Sequence, residues 1–229
     1  MLDLQGYGWM LGEGLQLTLT VGVCSLVVAI LMGLLGAWAK LSSSVVARGA
    51  ASIYTTVIRG VPELLLILLV YYGAPTLIQH ILVSFGNDTL IDVNPFIAGI
   101  ITIGFIYGAF ATEVFRGAIL AVPQGQLEAA HAIGMPRLLV VRRILLPQVW
   151  RFALPGLGNV WMVLIKATAL ISVIQLPELM RNTDIAARST RLPFTFYFAA
   201  ALIYLSITII SMIAQQRLEK WSNRGIRST

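Results

Sequence analysis

Charge is what this chain most lacks. Asp, Glu, Lys and Arg make up 11% of its 229 residues, where a soluble domain carries about 25%. Hydrophobic residues make up 58%. A soluble core of this length would have too little polar surface to cover itself, so a soluble globular fold is excluded and an all-α, polytopic membrane protein is expected. Cysteine is almost missing: Cys24 stands alone in an apolar run, makes no internal disulfide and says nothing of redox compartment. Histidine is nearly as scarce. His80 and His131 have no Cys or carboxylate neighbours at metal-ligand spacing, so no metal is expected. The GxxxxGK[ST], HExxH and GxSxG patterns are all missing, so catalysis, including ATP hydrolysis, is not expected of this chain.

What is present in quantity is long apolar runs. A helix needs roughly 20 residues to cross about 30 Å of hydrocarbon. Five segments qualify: 15–39, 55–79, 95–120, 152–176 and 192–216. The start of the second is the least regular, because Arg59, Gly60 and Pro62 disfavour a plain lipid-facing helix. The first is read as a true span and not a signal peptide. Residues 1–14 hold Asp3 and Glu13 with no Lys or Arg, and no small-residue cleavage pattern follows.

The basic residues set an orientation. With the N-terminus outside, the inner side holds Lys40, Arg48, Arg59, Arg116, Arg137, Arg142, Arg143, Arg151, Arg217, Lys220, Arg224 and Arg227. The outer side holds only Arg181, Arg188 and Arg191, and Lys166 stays in the membrane. The positive-inside rule therefore favours N-out, C-in. Dispersal along one membrane face, without interleaved aromatics, also argues against nucleic acid as a partner. The net charge of +6 is a topology signal.

Residues 121–151 then form a cytoplasmic island. A short helix is expected over 124–133, after Pro123 and with Glu128 in its early turns. Gly134 stops it, since glycine enters the left-handed conformation cheaply. Pro136 suits the first turn of a second helix over 137–146, which Pro147 ends. The result is a helix–turn–helix elbow at the membrane surface, with small alanines exposed beside an acidic residue. Positive-inside topology accounts for its arginines. It does not account for the spacing of Glu128, Ala129, Ala130, Gly134, Ile144, Leu146 and Pro147.

That spacing, EAA then G then I-x-L-P, resembles the cytoplasmic signature of ABC importer membrane subunits at every position. IRGVPELLLILLVYYGAP (58–75), IYGAFATEVFRGAILAVPQGQLEAA (106–130) and LIKATALISVIQLPEL (164–179) resemble polar amino acid permeases. The likeness is greatest to the Q-type subunit of the histidine/lysine/arginine/ornithine group. The resemblance implies a single transmembrane domain over 1–229 with the type I importer fold. It implies a heterodimer with an M-type subunit and two copies of a cytoplasmic ATPase that uses ATP-Mg, this chain binding no cofactor. A periplasmic solute-binding protein would deliver the amino acid. The elbow would be the coupling helix seated in the ATPase, turning its closure into movement of the spans.

Ionisable residues inside spans are costly and suggest function. Arg59 and Glu63 are four apart and would share a face of a continuous helix. Glu113 and Arg116 are three apart near the inner end of the third span. Both pairs read either as mutual neutralisation or as a path on which Glu63 or Glu113 attracts a cationic amino acid. Lys166, about 16 Å up a helix from Pro155, is expected to face the bundle interior or a polar cavity. Lys166 and Thr168 match a lysine-x-threonine motif of related permeases, but Ala167 stands where many have an aspartate, which removes a local partner. Gly104 and Gly108 have GxxxG spacing for close helix packing, with Tyr107 beside them within reach of the path. Two alternatives stay open. One is a permease for another polar solute, such as glutamine or an opine. The other is a passive channel or scaffold whose elbow anchors a regulatory protein.

Overall fold

The computed structural model describes residues 4–85 and 93–223. Asp3, Arg224 and Arg227 lie outside the described residues. Regular structure among the described residues is all helical. Five helices among the described residues are long and apolar enough to cross a membrane: α1 Gly8–Leu41, α3 Glu63–Ser84, α4 Pro95–Leu120, α6 Arg137–Ile174 and α8 Pro193–Ser222. Between them lie α2 Val45–Gly60, α5 Gln124–Ala132 and α7 Leu179–Thr190.

The bundle is organised around α1 and α4, which run parallel. Ser25 Oγ donates to Ile100 O at 3.2 Å, Val28 packs where a Cβ at Gly104 would sit, and Met32 does the same at Gly108. Further along, Gly36 lies against the Thr112 side chain. The Gly104–Gly108 spacing therefore serves packing within the chain: without Cβ atoms there, the two backbones approach closely. Against this pair, α6 runs antiparallel, Gly156 meeting Val114 near one end and Ile171 meeting Gly99 near the other. Val21, Ile67, Ile103, Ile106, Leu164 and Ile171 form the buried centre.

The second span differs from expectation. It is Glu63–Ser84 and not 55–79, because Val61 and Pro62 are extended, with ψ of 138° and 131°. A residue before proline is pushed out of the helical region, and Pro62 has no N–H to continue the ladder. The preceding α2 is N-capped by Ser44, whose side chain accepts from Ala47 N. It packs through Ala51 and Thr55, and Tyr54 Oη donates to Phe105 O at 2.6 Å.

Two π-helical turns explain how prolines persist inside spans. They cover Leu69–Gly73 and Val141–Leu145, and Pro75 and Pro147 each follow two residues after the turn. The Ala74 N–H reaches back to Leu69 O, and that of Leu146 to Val141 O. Widening the turn relieves the clash that proline makes with the carbonyl four residues back. Hence the helix expected to stop at Pro147 does not stop. It begins at Arg137 and continues to Ile174, its last turns in 3₁₀ form.

Candidate functional site

The elbow is built by local chemistry. The α5 helix is capped at Ile133, and Gly134 follows with φ +82°. The Gly134 N–H donates to His131 O at 2.9 Å and the Met135 N–H to Ala130 O at 3.1 Å. This pair of bonds is the Schellman arrangement that satisfies the last carbonyls of a helix, and a glycine adopts the required conformation at little cost. Pro136 then leads into α6. Gln148 Nε2 donates to Gln126 Oε1 at 2.6 Å, tying the two arms together. Glu128 and Ala129 are exposed, and so are Ile133 at 79% and Leu138 at 80%. Ala130 is buried, so only one of the two alanines presents a surface. Ile144 is half-buried, and Leu146 and Pro147 are exposed at the foot of span four.

Deeper in the bundle, the break at Val61–Pro62 forms one wall of an open cleft of about 470 Å³, lined by Arg59, Glu63, Phe110 and Leu170 among others. Arg59 and Glu63 share no helix and make no ion pair. The Arg59 guanidinium lies 5.2 Å from the Phe110 ring centre, a cation–π distance. Glu63 accepts instead from Tyr107 Oη at 2.9 Å. The break caused by Pro62 removed the shared face on which the expected pair depended.

Glu113 is held from two sides. Lys40 Nζ lies 2.5 Å from one carboxylate oxygen and Arg116 Nε 2.9 Å from the other. Lys40, from the last turn of α1, is a partner that sequence spacing could not supply, since the contact spans 73 positions. Thr168 is buried and donates to Ile165 O. Lys166 is exposed on this chain and has no ion-pair or hydrogen-bond partner among the described residues. Of the two settings expected for it, the bundle interior or a polar cavity, the interior formed by this chain's own helices is not where it lies. It shares a face with exposed Asn159 and Val163, at helical spacing.

Another polar centre, missed by sequence reasoning, joins α7 to the spans. Glu178 is buried and caps α7 by accepting from Met180 N and Arg181 N, both at 2.8 Å. Thr18 of α1 and Tyr204 of α8 also donate to it, each at 3.4 Å. Nearby, Asn182 Nδ2 donates to Met10 O at 2.8 Å, and Leu179 N to Thr18 Oγ1 at 3.1 Å. Burial pushes the Glu178 carboxyl up to about 7, outweighing the donors that pull it down. An acidic residue just before a helical stretch was a legible capping signal. Its partners in α1 and α8 were not.

The residues 25–224 match the family described as binding-protein-dependent transport system inner membrane component. A nopaline transport system permease protein of Agrobacterium fabrum is 48% identical over 97% of this chain and 95% of its own length. The histidine/lysine/arginine/ornithine transport system permease protein of Salmonella typhimurium is 45% identical over 98% of both. A crystal structure of an amino acid ABC transporter with histidines superposes with a TM-score of 0.80, at 33% identity, covering 93% of this chain and 94% of that one. Family match, full-length identity and shared fold agree, and the chain belongs to the binding-protein-dependent transport system inner membrane components, as a multi-pass permease subunit of an ABC transporter and not an enzyme.

Proposed function

We propose that this chain is the Q-type permease subunit of an ABC importer for basic amino acids or opines. The cargo reading extends from relatives named for nopaline, for histidine/lysine/arginine/ornithine and for arginine. In the proposed assembly, residues 1–229 act as one type I transmembrane domain with the N-terminus out and the C-terminus in. It pairs with a homologous M-type subunit on two copies of a cytoplasmic ATPase, which binds ATP-Mg, and a periplasmic solute-binding protein delivers the cargo.

One observation carries this reading: the elbow and span four are mechanically one piece. The tip bearing Glu128 and Ala129 is exposed, the Gly134 turn is stiffly bonded, and α6 runs from Arg137 to Ile174. A push on the tip is therefore transmitted along the span as a rigid-body movement. Glu128, Ala129, Ala130, Gly134, Ile144, Leu146 and Pro147 form the coupling element, with Ala130 supporting the turn from beneath. Lys166 rides on the same lever and faces the path or the second permease subunit. Glu63, oriented by Tyr107, supplies negative charge to the cleft beside Arg59. Glu113 and Arg116, with Lys40, act as a structural ion cluster, and Thr168 serves the helix-to-3₁₀ transition.

The test is uptake of labelled arginine by proteoliposomes holding the full subunit set, competed by ornithine, histidine, glutamine and an opine. ATP-dependent uptake competed by the basic amino acids or the opine is expected. Flux without the ATPase subunit would sink the importer reading in favour of a passive channel, and competition by glutamine alone would sink the cargo class.

A further inference from the structure

We propose that the exposed face of α7, with Arg181, Arg188 and Arg191, is the docking surface for an acidic rim of the solute-binding protein. This rests on the assembly and the orientation proposed above. Those arginines are all the basic residues that the orientation places on the outer side, and they fall within 181–191. Membrane proteins keep Lys and Arg mostly on the cytoplasmic side, so a cluster on one short helix and its cap runs against that rule. Topology accounts for the inner arginines and leaves these unexplained.

One face of α7 is built into the bundle. Leu179, Asn182, Thr183, Ala186 and Ala187 are buried, Asn182 Nδ2 donates to Met10 O, and Gly14 of α1 lies against the Leu179 backbone. Arg181, Ile185 and Arg188 recur at helical spacing on the other face. The Arg188 side chain is 81% exposed although its Nε donates to Asp184 Oδ1 at 3.0 Å. Tyr197 Oη donates to the same oxygen at 2.9 Å, so the guanidinium is oriented without being covered. Arg191 ends the helix at φ 58°, a left-handed conformation that glycine enters most easily. It stands exposed at the corner before α8.

Charge and place decide the occupant. Against the three arginines stand Asp184 and, on α1, exposed Glu13, while Glu178 is buried. The face is cationic and is complementary to an acidic partner. It follows the C-terminal end of α6, whereas the elbow precedes the N-terminal end. Between them α6 runs for 38 residues, about 57 Å of helix at 1.5 Å per residue. A partner seated on the elbow does not reach α7, so the ATPase is not the occupant. The solute-binding protein is the subunit that approaches from this end. Ile185 and Tyr197 add partly exposed apolar and aromatic surface among the arginines, and protein interfaces are rich in tyrosine and arginine.

The test is binding of the system's own solute-binding protein, loaded with arginine, to the full complex in phosphatidylcholine nanodiscs, followed by biolayer interferometry at low and high salt. Wild-type affinity should weaken as salt rises, since exposed charges are then screened. R181Q/R188Q/R191Q should bind about tenfold more weakly at low salt and lose most of the salt dependence, chiefly through slower association. Unchanged affinity and salt dependence in that variant overturn the proposal. So does a loss seen only once phosphatidylglycerol is added to the nanodiscs, because lipid headgroups would then be what the arginines hold. Ile185→Cys should crosslink to the solute-binding protein, and a crosslink to the second permease subunit instead also overturns the docking face. Elution of each variant as the intact complex on size exclusion keeps these results independent of folding. Binding that depends on the arginines of α7, without ATP-driven uptake, would support the docking face while overturning the transport reading. Uptake with binding that ignores those arginines would overturn the docking face alone.

Discussion

The two ends of span four are secured in opposite ways. At its N-terminal end, the Gly134 turn is closed by carbonyls of its own helix, and Glu128, Ile133 and Leu138 stand exposed around it. At its C-terminal end, Glu178 is buried and collects donors from α1, α7 and α8, the Thr18 contact spanning 160 positions. The first end is stiff but bare, the second wrapped and anchored. A lever needs both: a free end that a partner can push, and a fixed end about which the movement turns.

The sharpest way to break this contrast is at the bare end. Glu128→Lys should leave the protein inserted and assembled yet lower ATP-driven uptake by about tenfold or more, equivalent to ~1.4 kcal/mol at the contact. Normal uptake in that variant would sink the coupling role. Gly134→Val forces a β-branched residue to positive φ, a conformation costing about 1–2 kcal/mol. Uptake per ATP hydrolysed should fall, with little change in the amount of complex recovered. Equal losses of both would make Gly134 a folding residue only.

At the anchored end the expected effect is on stability. A raised folded-state pKa means that Glu178 contributes stability in full below its ordinary value of 4.5, and that this is lost as pH rises through about 7. Glu178→Gln should therefore flatten the fall in thermal stability between these pH values, measured on the complex in detergent. A slope identical to wild type would mean that the carboxyl does not titrate there. The smallest effect is expected for Glu113→Gln. Because Lys40 and Arg116 already occupy Glu113, uptake of arginine and of a neutral substrate should fall alike, by about the two- to threefold that a partly exposed ion pair of ~0.5 kcal/mol supports. A selective loss of arginine uptake would return Glu113 to the path.

Legibility in the sequence followed the range of the interactions. The span at 95–120 was placed as observed, and the elbow with its Gly134 stop was read from a glycine, two prolines and helical spacing. These are decided by neighbours along the chain. The second span was misplaced because the extended geometry that Pro62 imposes ended α2 before the apolar run had ended. Pro147 failed as a stop because a π turn upstream had already absorbed its missing N–H. Lys40, the partner of Glu113, and Thr18 and Tyr204, the partners of Glu178, come from other helices. No spacing rule reaches that far.

By itself, the sequence determined that this is a multi-pass membrane protein and where its polar island, with its glycine and alanines, turns. Hydrophobicity and local turn geometry are properties of short stretches, and they survive without a fold. Only the tertiary structure decided which charges meet, that Arg59 turns to Phe110 and Glu63 to Tyr107, and that Lys166 faces outward from the chain. Those outcomes depend on the parallel packing of α1 on α4 and on the break at Pro62, which set the distance and direction between groups far apart in the chain.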